Sequence, residues 1–187
     1  MCETPAAVAD EPDLDRWIAK PAIRVAHRRD SSAEPSRLWD AAREVPLADA
    51  TRLGQLIRWR IPGTRPDLRF EELFRNPPFM VLAEADQALV SGLVGRIWTL
   101  RRDYPRLSGP DEFLNWSESG TARVVFANWV ASAGPGRSAL HSEARVEPIG
   151  VQGRLGVAAV RPLVRAFQGL VASDGIAAAV RRAERGG

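Results

Sequence analysis

Cysteine and lysine each occur once in the 187 residues, and histidine only twice. The single cysteine, Cys2, excludes an internal disulfide and suits a reducing compartment. His27 and His141 are too few for a histidine-rich metal site, and no loop has the ligand spacing of a calcium-binding loop, so no metal and no cofactor is expected. No run of about 18 apolar residues is present, and no membrane span is expected. The opening MCETPAAVADEPD is polar and acidic. It lacks the basic and apolar regions of a secretory signal, and Cys2 lacks the preceding apolar run of a lipoprotein signal, so the expected location is cytoplasmic. GPGR at 134–137 has neither Walker spacing nor a following Gly-Lys-Ser/Thr. Ser91, Ser138 and Ser142 lack a Gly-x-Ser-x-Gly elbow, which leaves serine nucleophile chemistry unsupported.

What is there is ordinary for a globular chain: 45% hydrophobic and 26% charged residues. The expected organisation is a disordered leader over 1–12 and a single domain over 13–187. The net charge is +3, carried by 25 arginines and Lys20. That excess permits an anionic partner without demanding one. RWR (58–60) and RRDYPR (101–106) interleave arginine with an aromatic. Their simplest reading is a solvated loop; no nucleic acid is expected as partner, and transient membrane contact stays open.

Periodicity supplies the elements. AIRVAHRRDS (22–31) alternates as a strand, with Ile23, Val25 and His27 on one face and Arg24, Ala26 and Arg28 on the other. A helix follows, with Ser32 as candidate N-cap, Pro35 in its first turn and Leu38, Trp39, Ala42 and Val45 apolar. A second short helix is predicted over 48–59, presenting Leu53, Leu56 and Ile57. Strands at 78–85 and 88–100 flank a tip at Asp86-Gln87, and Gly92 and Gly95 suggest a bulge or curvature. A loop with a short helix near 110–116 leads to a hairpin turning at Gly134-Pro135-Gly136. The segment 153–185 is helical in pattern, with Pro162 predicting a kink or a start near 160 and a break expected near Asp174-Gly175. Trp17, in the segment 14–22, is expected to fold back and pack. This order predicts an α+β fold: a curved antiparallel sheet gripping a long C-terminal helix, with two short helices after the first strand.

IRVAHRRDSSAEPSRLWDAAREV (23–45), LVSGLVGRIW (89–98), LHSEARV (140–146) and RPLVRAFQGLVASDGIAAAVRRAE (161–184) resemble, in this order, an uncharacterised bacterial branch of the START-like, or SRPBCC, superfamily. His141 and Ser142 stand where that branch usually has Ser and Thr, and Ala144 replaces a Thr. The resemblance covers about 14–185. It implies the helix-grip fold and a cavity between sheet and C-terminal helix for a hydrophobic or amphipathic small molecule. It transfers no catalytic motif; some members of the superfamily are lipid carriers and others cyclases or hydrolases.

Alternation assigns faces on the hairpin. Leu140, Ser142, Ala144 and Val146 should face inward, away from His141, Glu143, Arg145 and Glu147, because unpaired charge is costly to bury. Val124, Phe126, Asn128 and Val130 should share that inner side, leaving Arg123, Val125, Ala127 and Trp129 outside. Asn128 then either bonds a neighbouring strand or water, or orients a ligand. His27 is a second inward polar group, suited to ligand contact or to acid–base work. Arg96 either pairs across strands with Glu143 or Glu147, or clamps an anion. The candidate lining is His27, Trp59, Val94, Trp98, Phe126, Asn128, Leu140, Ser142, Leu163 and Phe167. The leading reading is a binder of a lipid or polyketide-like molecule. The alternatives are an enzyme of the same fold using His27, Asn128 or Glu143, and a basic module for acidic membrane or nucleic acid.

Overall fold

The computed structural model describes residues 11–46, 67–99 and 104–185, and within these the side chains other than 70, 167, 168 and 170–173. The helix predicted over 48–59, with Leu53, Leu56 and Ile57, lies outside the described residues, as do RWR (58–60), residues 101–103 and most of the predicted leader.

The described elements in chain order are β1 (Ile23–Ser31), α1 (Pro35–Arg43), α2 (Phe70–Arg75), β2 (Met80–Ala85), β3 (Ala88–Gly95), α3 (Pro110–Asn115), β4 (Thr121–Ser132) and β5 (Ser138–Ile149). A C-terminal helical arm follows: α4 (Gly150–Leu170), a π-helical turn (Val171–Ile176) and α5 (Ala177–Arg185). The strands form one antiparallel sheet in the order β1-β5-β4-β3-β2, and the arm closes over it as in a helix grip.

Both faces of the sheet are covered. On the inner face, Ile23, Leu89, Leu93, Val124, Phe126, Leu140, Ala144 and Val146 pack against α1, α2 and the arm. On the outer face, Val90, Val94, Val125, Ala127 and Trp129 pack against Leu14, Trp17 and Ile18 of the N-terminal segment and Phe113 of α3. Double coverage explains why β3 is buried along its whole length and reads as a continuous apolar run.

Glu143 and Arg145 are therefore buried, and the outer charges serve as fasteners. Glu143 accepts from Arg24 Nε at 2.8 Å and from Arg145 Nε at 2.6 Å. Arg145 also holds Asp15 and donates to the Ile18 carbonyl at 2.8 Å, which ties the N-terminal segment to β5. Arg123 pairs with Glu147 and donates to the Leu114 carbonyl at 2.7 Å, anchoring α3. Arg96 takes no part in either cluster. The strand predicted to 100 ends at Gly95, and Arg96 stands exposed at the following turn.

Other departures are local. The bulge lies in β2 at Leu82, opposite the Gly-containing strand. Gly92 is required for close approach: a Cβ there would meet Leu82 Cδ1 at 2.6 Å and Phe113 Cε2 at 2.8 Å. Glu34, rather than Ser32, occupies the N-cap of α1. Ser32 instead donates its backbone N–H to Glu184 Oε1 at 3.2 Å, joining α5 to the end of β1. The arm begins at Gly150, ten residues before the start near 160 that Pro162 suggested, and runs through that proline. The predicted break at Asp174-Gly175 is the π-helical turn.

Candidate functional site

Strand pairing builds the site. His27 of β1 lies directly opposite Ser142 of β5, Ser142 opposite Asn128 of β4, and Asn128 opposite Leu89 of β3. All four belong to the inner face, because each alternates in register with residues of the inner core. Directly opposed side chains on an antiparallel pair stand about 4.5–5.5 Å apart at Cβ. The inner face thus carries one transverse polar row, His27–Ser142–Asn128, within an apolar layer.

The row is poorly satisfied by the protein. Among the described residues, His27 Nε2 and Ser142 Oγ are buried without a hydrogen-bond partner, and so is Ser91 Oγ on the same face. Asn128, half-buried, makes no side-chain hydrogen bond among the described residues. Buried polar groups ordinarily find partners, since an unmet one costs about 1–3 kcal/mol. Three such atoms lie on this one face.

A crevice opens at the Asn128 end. It is walled by Trp39, Ala42 and Val45 near α1, Phe74 of α2, Leu89 and Leu140 of the sheet, and Gly175 and Ile176 of the π-helical turn. The crevice is partly open to solvent, and its interior space is about 30 Å³, room for about two water molecules. A larger occupant must extend toward solvent or displace part of the wall. The turn that supplies Gly175 and Ile176 is the irregular part of the arm, and π-type irregularities recur at functional sites.

The mouth is charged. Arg43 Nε donates to Glu71 Oε2 at 2.7 Å, and Arg75 Nε donates to Glu71 Oε1 at 2.6 Å. Arg75 also grips Glu84, which lies opposite Leu89 and so continues the row to the far edge of the sheet. The hydrogen bond that Arg43 donates to Glu71 raises the guanidinium above its usual value, and Arg75 holds the Glu84 carboxyl below its usual value. The Arg43–Glu71 pair joins α1 to α2, and the Arg75–Glu84 pair joins α2 to β2.

Among the predicted lining residues, Asn128 and Leu140 border the crevice, while His27 and Ser142 continue the row beneath the arm. Phe126 is on the inner face but enclosed by Phe74 and Phe79, ring centroids 5.2 and 5.7 Å away. Trp98 packs on α4: a Cβ at Gly156 would come within 2.2 Å of its ring. Val94 lies on the outer face, opposite Arg123, and cannot line an inner site. Leu163 is exposed on α4. Trp59 and the Phe167 side chain lie outside the described residues. Glu143, an alternative acid–base candidate, is held on the outer face by two arginines. Sequence reasoning did not anticipate the Arg43–Glu71 pair, since nothing local indicates that α1 and α2 meet. Among the described residues no three His, Cys, Asp or Glu side chains converge as a metal site would require. No described helix is long and apolar enough to cross a membrane.

No family model matches the chain, and no curated protein sequence matches it. Among solved structures, it is similar to the hypothetical protein jhp0584 from Helicobacter pylori, at 10% identity and TM-score 0.42 over 98% of this chain and 99% of that one. It is also similar to TTHA0849 from Thermus thermophilus, at 12% identity and TM-score 0.33 over 88% and 99% of the two chains. A third is the Zhui aromatase/cyclase from Streptomyces sp. R1128, at 12% identity and TM-score 0.37 over 88% and 98%. Likenesses at this level carry no argument about what the chain binds.

Proposed function

We propose that the inner-face crevice binds a small, mostly apolar molecule of lipid or polyketide-like character that places a hydroxyl or carbonyl on the Asn128–Ser142–His27 row. The observation that carries this reading is the row itself. Three polar side chains from three strands share one register line, and two of them bury polar atoms that no group of the described residues meets. A ligand group there would satisfy atoms already desolvated, so the polar contact adds to affinity with little further cost. Apolar burial against Trp39, Phe74, Leu89 and Leu140 would supply the rest, at about 25 cal/mol per Å² before ordering costs. The charged mouth suits an amphipathic ligand entering apolar end first.

Native mass spectrometry of the purified protein, followed by solvent extraction, tests this. A retained hydrophobic molecule, lost from an Asn128→Leu variant that still folds, is the expected result. Retention unchanged in Asn128→Leu and in Ser142→Ala would overturn the reading.

A second reading is favoured by one observation: His27 Nε2 is buried, without a protein partner, beside Ser142. In an enzyme of this fold, that nitrogen is placed to exchange a proton with a bound molecule. Turnover of the extracted molecule, abolished by His27→Phe with binding retained, would establish it. Binding with no chemical change would reject it.

A further inference from the structure

Helix α4 has two apolar faces, and among the described residues only one packs against the sheet. Gly153 and Val157 are buried toward the sheet. On the other side, Val151, Leu155 and Leu163 are 64%, 69% and 48% exposed, and they are the large hydrophobics most exposed among the described residues. They recur at multiples of four residues, with exposed Ala159 completing the series, so they form one stripe along the helix. Arg154, Arg161 and Arg165, at i, i+7 and i+11, are exposed along one flank of that stripe. Helix α4 contains no Asp or Glu. These three arginines make no ion pair among the described residues.

From this juxtaposition we propose that α4 docks the protein on an anionic lipid surface, its apolar stripe entering the headgroup boundary while Arg154, Arg161 and Arg165 engage the headgroups. An exposed apolar stripe beside a purely cationic flank is the pattern of a helix lying in a membrane interface. The alternatives fit less well. A nucleic acid would engage the arginines and leave the apolar stripe in water. In a second copy paired antiparallel along the stripe, each arginine flank would meet its own like, with nothing acidic on the helix to offset the repulsion. The proposal stands apart from the inner crevice, because the stripe faces away from the sheet.

The full-length protein is tested by flotation with vesicles of phosphatidylcholine alone and with about one-third phosphatidylglycerol. Binding to the anionic vesicles is expected, falling as salt is raised. Leu155→Glu should reduce it by about tenfold or more, and Arg161→Gln with Arg165→Gln should remove the preference for anionic vesicles. Because Leu155 is exposed, thermal unfolding of the Leu155→Glu variant should match the parent's. Equal binding to both vesicle types, or unchanged binding by Leu155→Glu, would overturn the proposal. A concentration-dependent dimer abolished by Leu155→Glu, without vesicle binding, would overturn it in favour of a second copy. Salt-sensitive binding to duplex DNA with no vesicle binding would overturn it in favour of a nucleic acid.

Discussion

Glu143 and Arg145, two residues apart on β5, hold one another through a 2.6 Å hydrogen bond on the outer face of the sheet. Their side chains are only 3% and 7% exposed, because the N-terminal segment lies over them. The pairs reaching outward differ: Arg24 is 58% exposed and Asp15 73%, so solvent screens both. The energetic weight of the cluster therefore sits on the Glu143–Arg145 contact.

Glu143→Gln leaves the Arg145 charge buried with its buried counter-ion gone and only the solvent-exposed Asp15 beside it. We expect a loss of about 3–5 kcal/mol, against at most about 1 kcal/mol for Asp15→Asn. Chemical denaturation of the two variants checks the ranking. Equal, small losses would mean that the N-terminal segment lifts and hydrates the pair.

The inner row should respond in the opposite sense. Ser142→Ala removes a buried hydroxyl that no protein atom meets. Its stability should stay level or rise by up to about 1 kcal/mol, while ligand retention falls. A clear loss of stability in thermal melts would assign the hydroxyl to the fold instead.

His141 stacks flat on Trp129, with centroids 4.9 Å apart and planes 14° from parallel. Burial, reinforced by the nearby Arg28 charge, lowers its pKa from the ordinary 6.5. The unfolded chain thus takes up a proton first as pH falls, and the fold loses stability below about 6.5 until the folded pKa is passed. Above that window both states are neutral and the group contributes no pH dependence. His141→Phe keeps a ring for stacking and should flatten the decline in melting temperature below about pH 6.5. An unchanged decline would assign it to other groups.

The Trp98 ring occupies the space that a Gly156 side chain would need, where α4 meets the chain leaving β3. In an exposed helix, Gly→Ala stabilises by about 1 kcal/mol. Here the new methyl would strike the indole, and the sign should reverse to a loss of about 1–3 kcal/mol. A stabilised Gly156→Ala in denaturant titration would mean that Trp98 moves freely.

Much of the sheet was readable because charge marks parity. Glu143, Arg145 and Glu147 on one side of β5 identified Leu140, Ser142, Ala144 and Val146 as inward, and Arg123 did the same for β4. Where both sides are apolar the rule fails. On β3, Val94 and Leu93 are equally hydrophobic, and only the pairing of Val94 with Arg123 assigns it to the outer face. Leu163 failed for a related reason: helical spacing groups it with other apolar residues but does not say what the group faces.

The amino-acid order alone determined which residues share a face, where the chain turns at Asp86-Gln87 and Gly134-Pro135-Gly136, and that His27, Ser142 and Asn128 point inward. Those properties follow from backbone period and local sterics, which act over a few residues. Tertiary structure decided that the three polar groups fall on one line, that the N-terminal segment buries the Glu143–Arg145 pair, and that Val151, Leu155 and Leu163 of α4 are exposed. Each depends on strand register or on contacts between distant segments, from Asp15 to Arg145 or Ser32 to Glu184, and these form only when the whole chain packs.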